Sequence, residues 1–282
     1  MIVKSYAKIN LAINIKSKRD DGYHDLDMIM LPLELHDSID ISILPNIYDT
    51  YVTCDDFSLE TGDYNLCTIA VKKMKEKYNF NKSFRIHIHK NIPIGAGLGG
   101  GSANAAAVIK GIKDLLKIEM TQEEELDICK SIGSDVPFCL YNKPARVEGI
   151  GDKLTEIEVK NKYYVIIIKP QKGLSTKMVY AKYDEVSSKS HANINKLIET
   201  LKNGVEEINK YYGNDLEDAA ITLLPEIQEI KQVLKDNGLE NVLMSGSGSS
   251  VFGISTDKKE IEKIAKKLDQ KGFNVFLTKV LN

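Results

Sequence analysis

The sequence predicts an α+β protein of two domains, drawn at residues 1–158 and 159–282. Three observations lead there. The chain has 282 residues, 43% hydrophobic and 28% charged, an ordinary globular balance with room for more than one core. Segments with the two-residue period of a strand alternate with segments of helical spacing. A polar stretch, VKNKYY (159–164), breaks this pattern ahead of the apolar run VIIIKP, and the domain boundary is placed there.

In chain order, VKSYAKINLAINI (3–15) has strand composition with polar interruptions, and DSIDISIL (37–44) alternates as a half-buried strand does. NLCTIAVKKMKEKY (65–78) has helical spacing, and FRIHIHK (84–90) alternates again. A glycine-rich loop and a helix over about 102–116 follow. TQEEELDICKSIG (121–133) opens with Thr121 three residues before Glu124, a capping-box pattern, and closes on glycine. The second half predicts helices at 176–183, 194–203 and 226–236, then a strand, glycine loop and strand in NVLMSGSGSSVFGIS (241–255). A helix at 258–272 and a strand at 273–281 finish the chain, which shows no internal repeat and no low-complexity tract.

Composition excludes several classes. A formal net charge of −2 argues against a nucleic-acid binder or a polybasic membrane surface. YYVIIIKP (163–170) is too short to span a bilayer, and no signal or transit peptide is expected ahead of the first strand. Cys54, Cys67, Cys129 and Cys139 form no C-x-x-C pair, and read as reduced, mostly buried thiols of a cytoplasmic protein.

IPIGAGLGGGSANAAA (92–107) carries most of the chemistry. Gly95, Gly97, Gly99, Gly100 and Gly101 are five glycines within seven residues, directly ahead of an alanine-rich helix. Glycine leaves nothing between backbone N–H groups and a ligand, and a helix N-terminus adds unsatisfied donors and partial positive charge. Strand, glycine loop and helix together make an anion site, most often for phosphate. A tight packing turn would need only one or two of these glycines. The Walker A pattern fails, because Gly100-Gly101-Ser102 lacks its lysine. Gly95-x-Gly97-x-x-Gly100 matches the dinucleotide fingerprint, but the acidic residue wanted about 20 positions on is missing from 118–120. No H-R-D or D-F-G sequence of the protein kinases occurs.

Other polar residues stand out of their surroundings. Lys8 and Asn10 share one face of an otherwise apolar strand, which a polar cavity explains better than snorkelling from a sheet edge. Asp135 follows the predicted helix and precedes Pro137, in a rigid non-helical turn; ordinary turn chemistry would also place an aspartate there. Tyr23 and His24 follow Asp20-Asp21-Gly22 at a turn, where a solvated hairpin tip is the plain alternative. His87 and His89 lie on one strand face, but no third metal ligand has suitable spacing, so an exposed sheet face is expected.

The string PIGAGLGGGSA (93–103) resembles the P-x-x-x-G-L-G-G-S/G-S motif of the GHMP small-molecule kinases, where it cradles the phosphates of ATP. YAKINLAINI (6–15), DGYHDL (21–26), GSDVPFCL (133–140), ARVEGIGDKL (145–154) and MSGSGSSVFG (244–253) occur in order around it. Together they resemble the branch of that superfamily acting on 4-diphosphocytidyl-2-C-methyl-D-erythritol in the non-mevalonate isoprenoid pathway. The first motif departs from the usual Pro-Ala-Lys in having Tyr6, and ARVEGIGDKL is looser than the family's form, so no residue is carried over from it.

The resemblance implies a two-domain GHMP fold with the active site in the interdomain cleft, ATP and Mg²⁺ as cofactors, and a monomer or homodimer. It implies a catalytic Asp135 as base and Lys8 beside the transferred phosphoryl group. Pro93, Ile94, Gly95, Ala96, Gly97, Leu98, Gly99, Gly100, Gly101, Ser102, Ala103 and Asn104 would line the nucleotide, with Ser102 a candidate on the Mg²⁺ side. Tyr23 and His24 would hold the cytosine of a cytidine-diphosphate-linked methylerythritol, with Asn10 near the substrate. Tyr180 is a weaker candidate, core packing of its helix being the competing reading. The loop 245–250 is expected to give structural support. Mevalonate and homoserine kinases, an NAD-binding oxidoreductase and a non-catalytic nucleotide-binding regulator remain the alternatives.

Overall fold

The computed structural model describes residues 1–45, 48–186, 191–205 and 207–281. Two compact units emerge, neither drawn from one continuous stretch. The first takes Met1–Ala7, Leu35–Ile94 and Gly99–Asn142; the second takes Lys8–Glu34, Gly95–Leu98 and the chain from Lys143 onward. The elements in order are β1 (Ile2–Lys18), β2 (His24–Leu44), β3 (Tyr51–Cys54), α1 (Leu66–Tyr78), β4 (Ser83–His89), α2 (Gly100–Leu116), α3 (Gln122–Ile132), α4 (Val136–Tyr141), β5 (Ala145–Gly149), β6 (Lys153–Glu156) and β7 (Tyr164–Ile168). Then come α5 (Thr176–Glu185), α6 (Ile194–Asn203), β8 (Gly213–Asn214), α7 (Glu217–Leu223), α8 (Glu226–Asp236), β9 (Asn241–Met244), β10 (Val251–Ser255), α9 (Lys258–Asp269) and β11 (Val275–Lys279).

In the first unit the far half of β2 pairs antiparallel with β4, Ser38 opposite His89 and Leu44 opposite Ser83, and β3 adds to β4 in parallel. Phe84, Ile86 and Ile88 face the core while Arg85, His87 and His89 point the other way, the alternation the sequence predicts. α1 packs on α2 and α3, and α2 on α4. Asn65 caps α1 by accepting from the Cys67 N–H, and the capping box of α3 forms with both its bonds, at 2.9 and 3.2 Å.

In the second unit β5 pairs with the near half of β2, β6 pairs with β5, and β8 lies parallel to β1 with Ala12 opposite Gly213. A separate four-stranded antiparallel sheet runs β11-β7-β10-β9, backed by α8 and α9. Most strand neighbours are antiparallel, so the doubly wound parallel sheet that a dinucleotide-binding reading requires is absent among the described residues. No helix of the described residues is long and apolar enough to cross a membrane. All four cysteines are free, and burial pushes the thiols of Cys67 and Cys129 up to about 12.

Several elements differ from expectation for definable reasons. β2 begins at His24, thirteen residues before the alternating segment, because residues 28–33 are buried on both faces and show no two-residue period. Asp135 lies in a non-helical turn as expected, but that turn is also the N-cap of an unexpected helix, α4, six residues long with Pro137 in its first turn. A helix that short carries no readable period. The glycine-loop helix begins at Gly100, two residues before the start expected at about 102.

Candidate active site

The loop 95–99 is built from backbone. Gly95, Gly97 and Gly99 all have positive φ, between 64° and 72°, which turns the chain tightly before α2. At Gly97 a second constraint applies. A Cβ there would sit far inside contact distance of the Ser245 carbonyl and 2.8 Å from the Gly248 carbonyl. Loop 245–250 thus packs directly on 96–97: Ser245 Oγ donates to Gly97 O at 3.0 Å and the Ser250 N–H to Ala96 O at 3.3 Å. Asn214 holds that supporting loop by donating to Met244 O and Gly246 O. Part of the glycine requirement is therefore packing.

Gly101 is different. Its added Cβ would meet only Leu66, at an ordinary 3.6 Å, and the residue is exposed. Packing does not demand glycine there. The N-cap of α2 is Gly99, and no side chain caps the helix. A 17-residue helix thus presents uncapped N–H groups at the end of a glycine loop, the donor set that suits phosphate. Ala103 and Asn104 are buried, and Asn104 accepts from Ser5 Oγ at 2.6 Å, so Asn104 anchors the helix.

The chain entering the loop is clamped by charge. Lys90 Nζ lies 2.6 Å from Asp37 Oδ2, with side chains 6% and 0% exposed. The other oxygen of Asp37 accepts from the backbone N–H groups of Asn91 and Ile92, at 2.7 and 2.8 Å. Sequence reading missed this pair, because Asp37 and Lys90 look like ordinary strand-end charges.

Lys8 is 4% exposed, and its Nζ donates to Asn10 Oδ1 at 2.8 Å, which bears out the shared face. Its backbone N–H donates to Leu98 O at 3.0 Å, so β1 is tied to the glycine loop at the position of Lys8. A Cβ on Gly246 would come within 3.1 Å of Lys8 Nζ. Asp135 is half-buried in the first unit, and its carboxylate makes no capping bond to α4.

Tyr23 stands 62% exposed at the tip of the β1–β2 hairpin, with Gly22 at φ 85°. His24, by contrast, is buried, and its ring stacks against Tyr180 with centroids 5.0 Å apart and planes tilted 30°. Tyr180 is half-buried and makes this ring contact from α5. Asp184, one turn on, approaches His24 Nε2 at 2.8 Å and Lys18 Nζ at 2.5 Å. Those two contacts, that of Lys18 foremost, hold the Asp184 carboxyl below the usual carboxylate range. Its place on the helix surface four residues after Tyr180 was the available signal. The metal-site expectation also needs correction. Asp55, just past β3, brings a carboxylate oxygen near His87 and His89, with all three ligand atoms within 4.8 Å of one another. The third ligand is distant in sequence, which spacing alone does not reveal.

Comparison with known proteins gives consistent results. The family model described as "GHMP kinases N terminal domain" matches residues 65–143, and "GHMP kinases C terminal" matches 189–274. A 4-diphosphocytidyl-2-C-methyl-D-erythritol kinase of Clostridium acetobutylicum is 36% identical over the full length of both chains. One from Caldicellulosiruptor bescii is 38% identical over 269 residues, 95% of this chain and 94% of the relative. A crystal structure of 4-(cytidine 5'-diphospho)-2C-methyl-D-erythritol kinase matches all of both chains with a TM-score of 0.82 at 27% identity. The chain belongs to the GHMP small-molecule kinases and, within them, to the 4-diphosphocytidyl-2-C-methyl-D-erythritol kinase family.

Proposed function

We propose that the protein transfers the γ-phosphoryl group of ATP to the 2-hydroxyl of 4-diphosphocytidyl-2-C-methyl-D-erythritol. The observation that carries this reading is the bond from the Lys8 backbone N–H to Leu98 O, which ties to the glycine loop the backbone of a residue whose side chain is buried. ATP, with Mg²⁺, supplies the phosphoryl group and neutralises its charge. The uncapped N–H groups at 99–102 would hold the phosphates, with the Ser102 hydroxyl on the Mg²⁺ side; Pro93, Ile94 and 95–98 complete the cradle. Lys8 stabilises charge that develops in the transition state, kept in place by Asn10. Asp135 takes the proton of the attacking hydroxyl. His24 and Tyr180 offer a paired aromatic face for cytosine, with Tyr23 at its rim.

This reading assigns 1–158 to nucleotide binding and 159–282 to the C-terminal domain, and the two family models fall on either side of that line. It makes the partner a small molecule, with no nucleic acid and no membrane, and the chain a monomer or homodimer. Four free thiols fit the reducing cytoplasm. The test is a coupled ADP-release assay with the cytidine-linked substrate set against mevalonate and homoserine. Turnover is expected with the first only. Preference for either of the others overturns the substrate assignment while leaving the kinase chemistry standing.

A further inference from the structure

The outward face of the β3–β4 pair carries a second constellation, in residues that the kinase reading does not use. His87 and His89 are two apart on β4, so both imidazoles project on the side away from Phe84, Ile86 and Ile88. β3 lies parallel to β4 with Thr53 opposite His87 and Cys54 opposite Ile88. Asp55, two residues beyond Thr53, therefore reaches the same face beside His89. The three ligand atoms lie within 4.8 Å of one another, and His89 Nδ1 is 3.7 Å from Asp55 Oδ2. Ligands in a tetrahedral zinc site, bonded at about 2.0–2.1 Å, stand about 3.4 Å apart. Rotations about χ of these partly exposed side chains close that difference.

Two of the ligands are already oriented by neighbours. Thr53 Oγ1 is 2.8 Å from His87 Nδ1 and 3.4 Å from Ile86 O. With its proton directed to the Ile86 carbonyl, the hydroxyl accepts from Nδ1–H, which leaves the Nε2 lone pair for a cation. Asp55 Oδ1 accepts the Lys90 N–H at 2.8 Å, which fixes the carboxylate with Oδ2 toward His89. This is the outer support that metal-ligating imidazoles and carboxylates use. The nearby cation Arg85 is engaged by Asp40, at 2.9 Å. Two imidazoles and one carboxylate suit first-row divalent ions of the zinc type, not Mg²⁺ or Ca²⁺.

We propose that Asp55, His87 and His89 bind one divalent transition-metal ion, Zn²⁺ or a close relative, on the outer face of the first unit, with water in the remaining position. The ion would join the end of β3 to the end of β4, immediately before the Asp37–Lys90 clamp and the glycine loop.

The test uses the full chain, stripped with chelator and titrated with Zn²⁺ by calorimetry, and with Co²⁺ by visible absorption. One equivalent of Zn²⁺, tetrahedral-type Co²⁺ bands and a raised melting temperature are expected of the wild type. His87→Gln, His89→Gln and Asp55→Asn should each weaken Zn²⁺ by at least the roughly 10- to 100-fold that loss of an outer partner costs, and Thr53→Val by about tenfold. Circular dichroism of each variant checks that the fold is kept; these are surface side chains, and an unchanged spectrum with lost binding supports the site. If the wild type takes up no Zn²⁺ at micromolar concentrations, the proposal is overturned. So it is if a His87→Gln/His89→Gln double variant binds one equivalent with wild-type affinity.

Discussion

Replacing Asp37 by alanine tests what holds the glycine loop in place. The change removes a carboxylate that is 0% exposed and leaves the Lys90 ammonium, itself 6% exposed, without its counter-charge. It also orphans the N–H groups of Asn91 and Ile92, which the same carboxylate accepts at 2.7 and 2.8 Å. Breaking a buried ion pair from one side costs about 3–5 kcal/mol. A surface pair would cost about 1 kcal/mol or less. Since whole-domain stability is about 5–15 kcal/mol, this one substitution removes a large share. For a urea m-value near 2 kcal/mol/M, the midpoint should fall by about 2 M. Asp37→Asn keeps an oxygen for the two N–H groups and should cost less. Asp37→Asn with Lys90→Met removes both charges and should be milder than Asp37→Ala. Urea unfolding followed by circular dichroism measures all three, and ATP titration reads the loop. A loss below about 1 kcal/mol for Asp37→Ala, or a double variant worse than Asp37→Ala, refutes the clamp.

The remaining predictions concern chemistry and pH. Asp135→Asn should lower kcat by ~10²–10⁴-fold with ATP affinity nearly intact, and near wild-type turnover would remove it as the base. Lys8→Ala should reduce kcat more than it raises KM for ATP; a pure KM effect would assign it to ground-state binding. His24→Ala should weaken the cytidine-linked substrate by roughly 5- to 150-fold, the equivalent of about 1–3 kcal/mol of stacking, and leave ATP unaffected. Tyr23→Ala is expected in the same range if its exposed ring closes on the base; equilibrium titration with each ligand separates the cases. Asp184 has a folded pKa below its ordinary 3.8, so its stabilisation is full above that value and disappears as pH falls through the lower, folded one. The stability gap between wild type and Asp184→Asn should therefore be largest at neutral pH and close below about pH 4; urea titrations that show a constant gap contradict this.

Much of the secondary structure was legible because its signals are local. α6 and α8 fall on their expected residues, since their apolar spacing repeats over three turns, and Thr121 with Glu124 marks the start of α3 unaided. Strand pairs that form by long-range register were not legible. β5 on β2 places Arg146 against Asp27 with two bonds of 2.9 Å, but neither residue signals the other across 119 positions. At the site the glycine run, Lys8 with Asn10, and His24 could be found because each interrupts its surroundings. Asp37 and Asn214 could not, because a charged or amide residue at an element's end is ordinary until its partner is known. The Gly97 requirement shows the reverse case: the glycine was read as serving a ligand, and its closest neighbours prove to be carbonyls of 245–248.

The discontinuous make-up of the second unit has a consequence for how the chain is synthesised. Residues 8–34 leave the ribosome early, rich in buried positions such as Ile9, Leu11, Ile13, Ile29 and Leu31. Their partners come late. Asn14 exchanges two hydrogen bonds with Ala192, the Asp215 N–H donates to Ile13 O, and Leu33 bridges to Val280 near the last residue of the chain. The first unit is complete once Asn142 has emerged. The 140 residues from 143 to 282 then take about 7–28 s at about 5–20 residues per second. For that interval an apolar hairpin of two long strands waits without most of its neighbours. Nascent chains stalled with residue 142 just outside the ribosome should therefore protect 35–94 from protease while leaving 8–34 open to it, and chains lacking the last few residues should not close the hairpin fully even after release.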